Sequence, residues 1–122
     1  MNRADLANYC MGKHGAVCEQ PFGPEADVFK VMGKMFALMP VNADPPRISL
    51  KCDPTFAEIL RQTYPAVTPA YHMNKRHWNG ILADGSVPDD EIMEWVDHAY
   101  DLVVRGLTKA QRERLHKLND GG

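Results

Sequence analysis

The sharpest pattern in the chain runs from Arg47 to Cys52, where Ile48, Leu50 and Cys52 alternate with Arg47, Ser49 and Lys51. A period of two puts apolar side chains on one face of a strand and polar ones on the other. The segment therefore reads as a strand with one face on a core and one face wet. A second pattern, of helical period, links Ile92, Trp95, Val96, Ala99, Leu102 and Val103. It predicts a long helix opened by Ser86-Val87-Pro88-Asp89 and ended by Gly106, with acids in its first turn where the helix dipole favours them. Between these two, Asp53 caps and Pro54 starts a helix carrying Phe56, Ile59, Leu60 and Tyr64, which stops at Pro65.

Shorter signals complete the order. Asn2 caps a first helix with Leu6, Tyr9 and Cys10 on one face and Gly12 at its end. Ala16 to Gln20 reads as a short strand. Asp27 to Met32 and Met35 to Met39 read as a hairpin, with Gly33-Lys34 suiting a type II′ turn. Val67 to His72 is strand-like, but Pro69 lacks a backbone donor, which marks an edge or bulged strand. Trp78 to Ala83 is the last strand, Thr108 and Gln111 form a capping box for a final short helix, and residues 119–122 are expected to fray. Adjacent strands with short connections and segregated helices predict an α+β two-layer sandwich. Its antiparallel sheet has five to six strands, with helices packed on one face, in a single domain spanning residues 1–122. The expected core is Ile48, Leu50, Phe56, Ile59, Leu60, Trp95, Val96, Ala99 and Val103.

Composition narrows the class. With 44% apolar and 25% charged residues in 122, the chain is an ordinary soluble globular protein. Cys10, Cys18 and Cys52 are odd in number and carry no C-x-x-C spacing, so a reducing compartment fits better than a disulfide framework. A polar N-terminus without a signal region, and no run of membrane-spanning length, make a cytoplasmic location and no membrane partner the expectation. A monomer is expected rather than an obligate oligomer. The net charge of −2 hides an asymmetry. Residues 47–80 carry five basic and two acidic groups, whereas residues 81–105 carry one basic and seven acidic. Such asymmetry concerns partners and steering, not fold.

Candidate chemistry gathers in the run Tyr71 to Gly80, which holds two histidines, two cations, two amides apart from the backbone, and Trp78, with no acid until Asp84. Read plainly, it is a turn whose polar groups satisfy local backbone while Trp78 plugs the core. Read for function, it donates hydrogen bonds, attracts anions and offers a ring for stacking. A preformed metal site is not expected, because the spacing of His72 and His77 suits opposite faces of a strand and no third ligand is evident. The cysteines sit in apolar or alternating contexts that suit inert thiols, and no nucleophile elbow, phosphate loop or H-E-x-x-H is present. Neither an enzyme nor a cofactor is expected. Nucleic-acid binding remains, with Arg47, Lys51, His72, Asn74, Lys75, Arg76, His77 and Trp78 as candidate contacts and Asn79 as a further donor. The rival is a protein-interaction module, chaperone-like or peptide-binding, that uses a sheet or groove. Cations on one continuous face would favour nucleic acid, and an apolar groove there would favour the module.

The run His72-x-Asn74-Lys75-x-His77-Trp78, followed by Asp84-Gly85-Ser86-x-Pro88-Asp89, resembles the MmcQ/YjbR family of small bacterial proteins. Tyr9-Cys10-Met11, Ile48-Ser49-Leu50-Lys51 and Leu60-Arg61-Gln62 resemble it too, so the resemblance covers nearly the whole chain. It implies a CyaY-like α+β fold, related to secretion-chaperone-like folds. It also implies DNA binding, attributed to a double-wing arrangement of strands, and brings no enzymatic activity. For DNA to bind, the acidic long helix must lie on the far side of the sheet from the basic segment.

Overall fold

The computed structural model describes residues 1–70 and 73–120, without the side chains of 119 and 120. The elements run α1 (Arg3–Met11), β1 (Ala16–Glu19), β2 (Ala26–Val31), β3 (Lys34–Pro40), β4 (Arg47–Lys51), α2 (Pro54–Thr63), β5 (Val67–Pro69), β6 (Trp78–Leu82), α3 (Asp89–Arg105) and α4 (Lys109–Asp120). The six strands form one antiparallel sheet in the order β1-β2-β3-β4-β6-β5. This is the expected α+β architecture. β6 inserts between β4 and β5, which leaves the strand containing Pro69 at an edge, where its missing donor costs no ladder bond.

One apolar cluster joins one face of the sheet to all four helices. Phe29, Ala37, Ile48, Leu50 and Ile81 meet Leu6 and Cys10 of α1, Ala57 and Leu60 of α2, Trp95, Val96, Ala99 and Val103 of α3, and Leu115 of α4. β4 keeps the alternation read from its sequence, with Ile48 and Leu50 buried and Arg47 exposed. In β3, Phe36 is the extra residue where the register against β2 shifts, so Phe36 and its neighbour Ala37 are both fully buried. Phe36 meets the edge of Tyr100 at 5.6 Å.

The helix ends follow their chemistry. The Asn2 side chain accepts from the Asp5 N–H while Asp5 accepts from the Asn2 N–H, and Asp53 accepts from the Phe56 N–H ahead of Pro54. Thr108 and Gln111 exchange the two hydrogen bonds of a capping box. α4 runs to Asp120, and Gly121 and Gly122 of the segment expected to fray lie outside the described residues.

Three local expectations are corrected. Ile59 is 53% exposed, because the stripe α2 turns inward is Phe56, Ala57 and Leu60, and Ile59 lies off it. The β2–β3 turn centres on Met32 and Gly33, not Gly33-Lys34. Val31 pairs with Lys34, and both central residues have positive φ (50° and 79°), the type I′ signature. β5 ends at Pro69, short of the strand expected to reach His72; Tyr71 and His72 lie outside the described residues.

Candidate functional site

The face of the sheet turned away from the helices carries the site. Register aligns Leu38 with Ser49, Ser49 with Gly80, and Gly80 with Thr68, so one row crosses β3, β4, β6 and β5. The row is large at its start and small in its middle, which makes a hollow across the strands. On one side of it Arg47 pairs with Leu82, and on the other Lys51 pairs with Trp78. The resulting groove has a volume of about 670 Å³. Its apolar lining includes Phe22, Met35, Leu38, Pro69, Met73 and Trp78, and among the described residues its polar lining is Arg47, Ser49, Thr68 and Asn74. No helix residue takes part.

Gly80 is the informative position in the row. Its φ lies outside the left-handed range, so the backbone there does not require glycine. A Cβ at Gly80 would meet only Thr68, at 3.6 Å from its hydroxyl, an ordinary contact. Glycine inside a strand weakens it and often marks a close approach by another group. Here the missing side chain keeps the groove open.

The predicted contacts distribute unevenly. Arg47 and Asn74 are exposed and line the groove. The Lys51 ammonium lies 6.0 Å from the centre of the Trp78 ring. Trp78 itself is 7% exposed, so most of the ring is covered by protein and little is open for base stacking. It belongs to the groove and not to the main core cluster. Arg76 is exposed but lines a separate small cleft with Pro54, Thr55, Glu58 and Arg61. His77 is half-buried, and its backbone carbonyl accepts from the Cys52 N–H at 2.8 Å. The side chain of exposed Lys75 projects from the same turn, and its carbonyl accepts from Arg61. His72, the remaining candidate contact, lies outside the described residues.

Asn79 is a different case from the donors around it. It is 1% exposed and faces the helices. Its side-chain oxygen accepts from Arg61 Nε at 2.7 Å, and its amide donates to the Ala57 carbonyl at 3.3 Å. The guanidinium of Arg61 also donates to the carbonyls of Lys75 and Trp78. Arg61 thus pins α2 to β6 and to the turn that forms one end of the groove. Sequence reasoning missed this role, since an arginine late in a helix looks like a dipole partner.

Other reactive groups are held quiet. Burial pushes the Cys10 and Cys52 thiols up to about 12 and about 11, which disfavours the nucleophilic thiolate. Tyr9 is pushed up to about 12 by burial and by its hydrogen bond to the Asp97 carboxylate. Asp97 also pairs with Lys13 at 2.7 Å, so this trio fastens α1 to α3. Among the described residues, no three histidine, cysteine or acidic side chains converge as metal ligands. No helix among them is long and apolar enough to cross a membrane.

Comparison with known proteins places this geometry. Residues 11–102 match a family model described as YjbR. The Escherichia coli protein YjbR is 37% identical over 118 residues, covering 97% of this chain and 100% of that protein. YbdF of Escherichia coli O157:H7 is 39% identical over 95 residues, 78% of each chain. A crystal structure from Deinococcus radiodurans superposes with a TM-score of 0.88 at 39% identity, over 94% of this chain and 88% of that one. A Pseudomonas syringae crystal structure gives 0.72 at 30% identity, over 84% and 98% respectively. The names these relatives carry state no activity.

Proposed function

Starting from a chain that belongs to the YjbR family, we propose that it is a binding module without catalytic activity, and that its site is the cross-strand groove on the free face of the sheet. The observation that carries this reading is the groove itself: about 670 Å³, mostly apolar, and kept open by a glycine the backbone does not need. Concave, mainly apolar pockets of ~300–1,000 Å³ with a few placed polar groups are the usual form of a ligand site. β4 and β6 are each paired on both sides, so a partner cannot join the sheet as a strand there. Recognition must come from groups that enter the hollow.

Nile red, a neutral apolar dye, tests this. The wild-type protein should bind it with a blue-shifted, saturable signal. Gly80→Val, which fills the hollow from its floor, should bind it at least about tenfold more weakly while keeping its circular dichroism. Equal binding by both proteins would sink the groove reading.

Nucleic acid is a second reading, favoured by one specific observation. The acidic α3 packs on the helix-covered face, through Trp95, Val96 and Ala99, while Arg47 and Lys51 belong to the opposite side. The separation that DNA binding would need is therefore present in the fold. A surface using Arg47, Lys51, Lys75 and Arg76 should show a log–log salt slope of about −3 to −4 on duplex DNA. Lys75→Ala with Arg76→Ala should flatten it by about 2, while Arg112→Ala with Lys117→Ala should leave it unchanged. Absence of binding to duplex or single strands at low salt would remove this reading.

A further inference from the structure

The geometry points to a small amphipathic acid as the ligand of the groove: an apolar body seated over Leu38, Gly80 and Trp78, with its carboxylate on Arg47. This rests on the groove reading above and names its ligand class. The argument begins with charge. Among the described residues, Arg47 is the only ionisable one in the lining, and no acid shares the groove with it. Among the described residues, its guanidinium has neither a salt bridge nor a hydrogen bond to a side chain. A planar guanidinium presents paired donors that match a carboxylate edge to edge, so an unpaired one at the rim of an apolar hollow selects for an anionic end.

The floor adds polar capacity close by. Ser49 is two residues along β4 from Arg47 and therefore on the same face. Its hydroxyl and that of Thr68 make no hydrogen bond to a described residue. Hydroxyls can both donate and accept, so they suit a carboxylate or a neighbouring ligand hydroxyl. Apart from Asn74, the remainder of the described lining is apolar. Phe22, at 70% exposure, is the most exposed large apolar side chain among the described residues, and an apolar body lying in the groove would cover it. A simple apolar compound would leave Arg47 without a partner. A highly charged one would strand its other charges over Leu38, Met35 and Trp78. One anionic end on an apolar body satisfies both parts of the lining.

The experiment displaces Nile red with three competitors: dodecanoate, dodecylammonium, and an end-capped tetrapeptide of leucine and phenylalanine. Dodecanoate should displace the dye at a concentration about tenfold or more below that of dodecylammonium, as expected for a hydrogen bond to a charged partner. Arg47→Met keeps the bulk and removes the charge; it should retain the dye and lose the preference for dodecanoate. Gly80→Val should lose dye and dodecanoate together, and Ser49→Leu serves as the second floor-filling variant should Gly80→Val fold poorly. If the dye binds and Gly80→Val abolishes it, yet dodecanoate and dodecylammonium compete equally, the acid is wrong and the groove stands. If the capped peptide competes better than dodecanoate, the occupant is a partner chain. If the dye binds neither protein, or both alike, the groove reading itself fails.

Discussion

Removing the Arg61 side chain should cost more than an exposed-to-intermediate helical arginine ordinarily does. Its Nε lies 2.7 Å from the side-chain oxygen of Asn79, a residue 1% exposed. Arg61→Ala deletes a charge-assisted hydrogen bond, worth about 1.5–3 kcal/mol, and leaves a buried acceptor without its partner, at about 1–3 kcal/mol. The two overlap, so the expected destabilisation is about 2–4 kcal/mol. The carbonyls of Lys75 and Trp78 can turn partly to water and add little. Asn79→Leu removes the buried acceptor while keeping roughly the same shape. In that background Arg61→Ala should cost only about 1 kcal/mol, giving a coupling of about 1–3 kcal/mol. Urea unfolding of the four proteins measures it, provided the slopes with denaturant agree. Equal costs of Arg61→Ala in both backgrounds would show that the contact carries no energy and that Asn79 is satisfied another way. Because the same arginine holds the turn bearing Met73 and Asn74, Arg61→Ala should also weaken Nile red binding.

Trp95 is 4% exposed and meets Tyr64 edge-on at 5.2 Å, so Trp95→Ala should cost about 3–5 kcal/mol by urea unfolding. Ile59→Ala should change stability by less than about 0.5 kcal/mol, and a cost near that of a core truncation would contradict the exposed placement of Ile59. His98 is held below the usual histidine range, first by burial, and its Nε2 accepts from the Asp53 N–H at 3.2 Å. The folded state therefore favours the neutral ring, and its contribution is present above the unfolded pKa of about 6.5 and lost as pH falls through the lower folded value. The urea midpoint should drop between pH 8 and pH 5.5 in the wild type, and the part of that drop due to the ring should vanish in His98→Gln.

The strands and helices were legible wherever burial alone decides. β4, α2 and α3 follow from period-two and helical patterns because one face of each meets a core, and the start of α2 uses a capping side chain, Asp53, whose chemistry allows little else. What the sequence did not show is pairing across distance. The row Leu38–Ser49–Gly80–Thr68 comes from three separate registers. Nothing local to Gly80 separates a strand glycine that opens a hollow from one that serves a bulge. The donor-rich run from His72 to Asn79 was visible, but its members act in different directions. Asn79 turns inward to Arg61, Trp78 lies in the groove, and Arg76 stands over α2. Alternation along β6 foretells that split once the strand's start is known, although the partner of Asn79, Arg61, remains invisible until α2 is placed beside it.

The insertion of β6 between β4 and β5 has a consequence for the order of assembly. β1 to β4 can pair with their sequence neighbours as the chain collapses, through short closures that cost little entropy. The hollow has no floor at that stage, because Gly80 and Thr68 arrive only when the last strand threads in beside β4. A chain that has folded its meander but not docked β6 would present β4 as a bare edge, with Ile48 and Leu50 on the strand most open to pairing with another molecule. Occupancy of the groove is therefore a property of the finished sheet alone. A ligand there would favour the completed fold over that half-built species, and would draw the chain away from its most aggregation-prone state.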